Sequence, residues 1–165
     1  MAPLVTRELD AFRAMIGGGL TQFAKMDPRV RERLANVRSR VVAVDYREDK
    51  RGEVGFYDYD NDVLVVAVVD PFAAELVDLV ERKESPAITL EELAEALQLL
   101  ARRNPKLQAA LTQPRARAAA FVYAFAEGSG RESHRGCVVN VESEGRVTHG
   151  VVDLSVRELV AEPVR

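Results

Sequence analysis

One cysteine, two histidines and no long apolar run set the first limits on this 165-residue chain. With Cys137 alone, no internal disulfide can form, so nothing here asks for an oxidising compartment. No segment approaches the ~20 consecutive apolar residues that cross a bilayer as a helix. The first residues, MAPLVTRELDAF, put Arg7, Glu8 and Asp10 where a secretion signal needs an apolar core. The expectation is a cytoplasmic protein that makes no membrane contact. An excess of one charge is missing too. The net charge is −3 with both signs interspersed, which argues against a nucleic-acid groove lined by clustered cations. The basic run Arg29, Arg31, Arg33, Arg38 and Arg40 is the local exception. Asp27 and Glu32 interrupt it, so it reads as a solvated helix face.

What the chain does have is 47% hydrophobic residues, enough for one domain or two small units sharing a core. It also has an internal echo. Arg38, Arg40, Ala43 and Tyr46 recur as Arg115, Arg117, Ala120 and Tyr123, an offset of 115 − 38 = 77. Further on, Val68–Asp70 recurs as Val151–Asp153, and Glu75–Val77 as Glu158–Val160, both at 151 − 68 = 83. Six extra residues in one loop reconcile the two offsets.

Local patterns give the echo a shape. Leu9, Phe12, Ile16, Leu20 and Phe23 fall at helical spacing, but Gly17–Gly19 would cost about 1 kcal/mol each inside a helix, so a break is expected there. Asp27-Pro28 starts a second helix with Val30, Leu34 and Val37 as its apolar stripe. Thr89 and Glu92 form a capping box for its counterpart, with Leu90, Leu93, Ala94, Leu97, Leu100 and Ala101 as the buried face. Arg102 and Arg103 close that helix before Pro105, and 106–112 adds a short turn. The remainder reads as strands at 41–47, 54–59, 63–69 and 76–81, then 118–125, 137–143, 147–153 and 158–160. Asp60-Asn61 and Glu144-Gly145 supply the matching hairpin turns. The expected fold is α+β: duplicated helix-plus-antiparallel-meander units. An N-terminal helical segment spans 1–26, the first repeat 27–84 and the second 85–165, in one compact domain overall. Each meander offers one apolar face that a helix must cover.

The chemistry-bearing residues are sparse. A two-residue turn at Glu144-Gly145 sets Asn140 opposite His149 and Cys137 opposite Val152, so Cys137 and His149 point to opposite faces and make no nucleophile dyad. Cys137 reads as a small core residue among Val139, Val141 and Val152. His134, Cys137 and His149 are weak candidates for a metal site, because a structural zinc site needs four ligands. The acidic turn 58–62 opens like a calcium loop, but Val63 replaces its glycine and Val69 its last glutamate. The glycine triplet lacks the strand before it and the Lys-Ser/Thr after it that a phosphate loop needs. Tyr46 and Tyr123, matched by the repeat, read as symmetric packing elements. With Asn140 and His149 they are the residues that would line a ligand cavity.

The segments ITLEELAEALQLLAR and VVNVESEGRVTHGVVDLSVRELV resemble the small tandem amino-terminal domains of copper amine oxidases, over about residues 27–162. The resemblance implies a helix packed on a cystatin-like antiparallel sheet, twice over. It does not bring the oxidase chemistry. Phe56-Tyr57-Asp58-Tyr59 has phenylalanine where the quinone-forming motif needs asparagine. Two histidines cannot build that family's three-histidine copper site. No catalytic residue and no cofactor are therefore expected. The leading expectation is a non-catalytic accessory protein that acts on a protein partner or as a homo-oligomer. The alternative is a small-molecule-binding protein or cyclase-like enzyme of a biosynthetic pathway, with an apolar cavity between helix and sheet.

Overall fold

In each unit a short helix begins with a proline. Asp27 caps a short helix by accepting the Arg29 amide hydrogen at 2.8 Å, and Pro28 occupies the first turn, where no amide is missed. The computed structural model describes residues 16–160, and the chain divides into two compact units, Met1–Glu84 and Ser85–Arg165. Leu9 and Phe12 lie outside the described residues. The whole is an α+β mixture with two four-stranded antiparallel sheets.

In the first unit, helix α1 covers 16–26 and α2 covers Pro28–Arg33. Four strands follow in meander order: β1 Ser39–Tyr46, β2 Gly52–Asp58, β3 Val63–Asp70 and β4 Glu75–Arg82. The core joins Leu20, Ala24 and Val30 from the helices to Val54, Phe56, Val65, Ala67, Val69 and Leu76 from the sheet. The expected break at Gly17–Gly19 does not occur; the helix runs through all three. Burying a leucine contributes about 1.5–3 kcal/mol. Leu20 at 4% exposure and Ala24 at 0% thus offset much of the glycine cost through tertiary packing. Helix 1 also lies close to the sheet, since a Cβ on Gly52 would stand 2.6 Å from Leu20 Cδ1. Helix α2 is shorter than its stripe suggested, ending at Arg33 with Leu34 as its cap.

The first hairpin corrects the expected turn. Asp58 pairs with Val63, leaving a four-residue loop at 59–62, and the positive φ falls on Asp62 at 52° rather than on Asp60 or Asn61. The Asp58 carboxylate holds that loop by accepting the Asp60 and Asn61 amide hydrogens, each at 3.1 Å. A side-chain acceptor inside the strand end thus replaces the tight two-residue turn.

In the second unit, α3 spans Leu90–Arg103 and α4 spans Pro105–Leu111. The Thr89–Glu92 capping box forms as expected. The buried stripe is narrower and rotated: Glu92, Ala96 and Leu100, while Leu90 is 84% exposed and Ala94 faces outward. Asn104 ends α3 and caps α4, accepting the Leu107 amide hydrogen at 3.1 Å. The strands are β5 Arg117–Tyr123, β6 Gly136–Ser143, β7 Arg146–Asp153 and β8 Glu158–Val160, again a meander. Here the hairpin is the expected one. Glu144 and Gly145 take φ of 50° and 72°, Ser143 pairs with Arg146, Asn140 with His149 and Cys137 with Val152. Leu100 lies against Gly150, so the face of Gly150, Val139 and Cys137 is the helix-covered one.

Two registers bear on the echo. Asp70 Oδ1 accepts the Phe72 and Ala73 amide hydrogens, and Asp153 Oδ1 accepts those of Ser155 and Val156. Ala74 and Arg157 then take φ of 52° and 59°, and Asp70 pairs with Glu75 as Asp153 pairs with Glu158. The tyrosines behave differently. Tyr46 pairs with Gly52, on the face that meets helix α1. Tyr123 pairs with Gly136 and lies one residue out of phase with the helix-covered face of Cys137 and Val139. A register shift in β1 between Val41 and Ala43 causes the inversion, so the two are not symmetric packing elements.

Glycine positions offer a paired test. A Cβ on Gly136 would meet the Tyr123 carbonyl oxygen and stand 2.8 Å from the Phe125 ring. Gly136→Ala should therefore destabilise the protein by about 1–3 kcal/mol in urea denaturation. Gly18 has nothing within 4 Å of its absent Cβ, so Gly18→Ala should stabilise by up to about 1 kcal/mol. A destabilised Gly18→Ala would contradict a helix running through the glycine triplet.

Candidate functional site

Polar groups buried in each unit are the first place to look for chemistry, because burying a charge costs too much unless it is paired. In the second unit Arg135 and Glu92 are both fully buried. Arg135 Nε donates to Glu92 Oε1 at 2.5 Å and Nη2 to Glu92 Oε2 at 2.8 Å. Its remaining donors reach Ser85 Oγ and the Pro86 carbonyl at 3.0 Å each, and the Ala87 carbonyl at 3.2 Å. All five guanidinium N–H groups are thereby used. Glu92 meanwhile accepts from the Thr89 amide. The pair clasps the 85–87 segment, the start of α3 and the entry to β6. Both side chains are fully buried.

Asp153, also fully buried, is the second centre. Its Oδ2 accepts from Arg131 Nη1 at 2.7 Å and meets His134 Nδ1 at 2.7 Å, while Arg131 Nη2 donates to Glu158 Oε2 at 2.7 Å. This ties the segment between β5 and β6 to the end of β7. The first unit has a parallel arrangement. Asp58 accepts from Arg33 Nη1 at 2.9 Å, and Arg33 Nε reaches Glu81. Burial alone would raise the Asp58 carboxyl, but hydrogen bonds from Asn61, Arg33 and the loop amides outweigh it and hold it below the usual range.

The residues expected to line a site are spread out. Asn140 and His149 face each other across β6 and β7, Asn140 half-buried and His149 exposed. Tyr123 shares their face near the far end of β6 and packs edge-to-face on Phe125, ring centroids 5.2 Å apart. Tyr46 lies in the first unit and is 45% exposed. Cys137 is fully buried on the face opposite His149, and His134 is turned onto Asp153, so the three metal candidates do not converge. Among the described residues no three His, Cys, Asp or Glu side chains could hold a metal ion together. Burial pushes the Cys137 thiol up to about 12, with the Glu92 charge adding and Arg135 opposing. It is a core thiol. Among the described residues, no helix is long and apolar enough to cross a membrane.

Sequence reasoning missed two features. Glu92 on α3, Arg131 and Arg135 between β5 and β6, and Asp153 at the end of β7 come from three separate segments, and no spacing rule connects them. The other is a cleft of about 310 Å³ in the first unit, lined by Lys25, Val30, Arg31, Leu34, Ser39, Arg40, Val41 and Phe56. The basic run was a signal for it, read only as a solvated face. No protein-family model matches the chain, and no curated protein does.

Two measurements test this assignment of roles. Arg135→Met leaves Glu92 buried and unpaired, so it should cost about 3–5 kcal/mol in denaturant unfolding, and adding Glu92→Leu should recover a large part. Full stability in the single variant would contradict the clasp. Native protein at pH 8 should leave a disulfide reagent such as Ellman's unreacted, and release one thiol equivalent after unfolding in guanidinium. Rapid native labelling would place Cys137 outside the core.

Proposed function

We propose that this protein is a non-catalytic interaction module built from two cystatin-like helix-plus-meander repeats. On this reading it is a relative of the small tandem domains of copper amine oxidases. Support for the repeat comes from matched positions. The turns after Asp70 and Asp153 share donors, acceptors and positive-φ sites at the 83-residue offset. The helix starts Asp27-Pro28 and Asn104-Pro105 share the other offset, 104 − 27 = 77, and bury Val30 and Leu107 alike.

The observation that carries the interaction role is strand β5. Among the described residues it is hydrogen-bonded to β6 alone, and from Ala118 to Tyr123 it carries no charge. Phe121 is 56% exposed and Val122 38%. Edge strands are ordinarily blunted by charge, proline or a bulge, since their free amides and carbonyls template pairing. An uncharged edge with exposed apolar side chains fits strand addition by a partner, with main-chain bonds supplying affinity. A second copy of this chain satisfies the same chemistry.

Light scattering of the purified protein should give a dimer that dissociates on dilution, and Phe121→Lys should give a folded monomer. A wild-type monomer at every concentration, with no protein retained from its host by an affinity column, would sink the proposal. A Phe121→Lys variant that still dimerises would move the interface elsewhere.

A further inference from the structure

The cleft of the first unit collects positive charge over an apolar floor. Lys25 stands near the end of α1, Arg31 on α2 and Arg40 on β1, while Val30, Leu34, Val41 and Phe56 form the walls and floor. None of its lining residues is acidic, in a chain whose net charge is −3. The neighbouring arginines are already engaged. Arg29 is held by Asp27 and the Leu76 carbonyl, Arg33 by Asp58 and Glu81, and Arg38 lies over the Tyr59 ring at 4.4 Å. The side chains of Lys25 and Arg31 have no hydrogen bond or ion pair among the described residues. Solvated surface cations are ordinary; two without a partner that line one recess beside the half-buried Leu34 and Val41 are not.

The second unit supplies an internal comparison. A recess beside the start of β5 is lined by Arg115 and Arg117, the repeat partners of Arg38 and Arg40, but also by Glu142 and Glu144. Its charges balance within the protein. In the first-unit cleft Lys25 and Arg31 have no acidic residue beside them in the lining.

We infer that the cleft between α2 and the start of the first sheet binds a small organic anion with an apolar body, a medium-chain carboxylate in its simplest form. The volume of about 310 Å³ lies at the lower end of ligand sites, which suits a metabolite-sized molecule. Arg31 and Lys25 take the carboxylate by charge-assisted hydrogen bonds, and the chain of the ligand covers the half-buried Leu34 and Val41. Specificity follows from the charge: a neutral ligand of equal length leaves both cations without a counter-charge. This site stands independently of strand β5 and of the oligomeric state.

The test is calorimetric titration of the full chain with decanoate below its micelle concentration, alongside decanol as the neutral probe. Amide chemical-shift mapping of the decanoate titration locates the site. Saturable decanoate binding is expected, weakened about tenfold for decanol and for Lys25→Gln/Arg31→Gln. Both replaced side chains are exposed, so the variant should keep the wild-type thermal midpoint. Arg115→Gln/Arg117→Gln should bind like wild type. Shifts should cluster at Val30, Arg31, Leu34, Val41 and Phe56. Equal binding of decanoate and decanol would overturn the inference, as would an unaffected Lys25→Gln/Arg31→Gln variant, shifts mapping elsewhere, or no decanoate binding at millimolar concentration.

Discussion

In each unit a leucine from a helix lies against a glycine of the sheet, and the rest of the structure is arranged around that contact. Leu20 sits over Gly52 and Leu100 over Gly150. A four-stranded meander has one apolar face, and that face needs a cover at close range to exclude water. Removing a Cβ at one point of the sheet lets the helix approach there. The helix position then sets where the short second helix starts, at Asp27 in one unit and Asn104 in the other. That in turn sets where the first strand enters the sheet. The cationic cleft and strand β5, which among the described residues pairs with β6 alone, both lie at that entry strand, one in each unit.

The buried polar side chains serve the same purpose. Arg135 with Glu92, Asp153 with Arg131 and His134, and Asp58 with Arg33 each tie a loop or helix start to a strand end. A catalytic group needs an unsatisfied proton or lone pair facing a substrate. The Arg135–Glu92 pair spends its hydrogen bonds inside the protein. On the surface, among the described residues, Lys25 and Arg31 have no hydrogen bond or ion pair through their side chains, and β5 carries no charge from Ala118 to Tyr123.

Much of this was legible in the sequence wherever local chemistry decides the outcome. The Thr89–Glu92 box, the Asp27-Pro28 start and the Glu144-Gly145 hairpin with its pairing all depend on neighbours within a few residues. Tertiary forces decided the rest. The glycine triplet remains helical because Leu20 and Ala24 are packed on the sheet. Glu92, read from the sequence only as half of the capping box, is buried, and Arg135, 43 residues away, compensates it. Tyr46 and Tyr123 match in sequence yet face opposite ways, because a register shift in β1 has no signature of its own. The cleft escaped notice because its cations come from three different elements, and only packing brings them together.

The most direct measurement is a methyl-resolved nuclear Overhauser experiment on the intact protein. Strong cross-peaks between the Leu20 methyls and the Gly52 α-protons, and between the Leu100 methyls and the Gly150 α-protons, are the predicted result. Absence of both sets, with the leucine methyls instead near solvent or other strands, would contradict the helix-on-glycine packing from which this account is built.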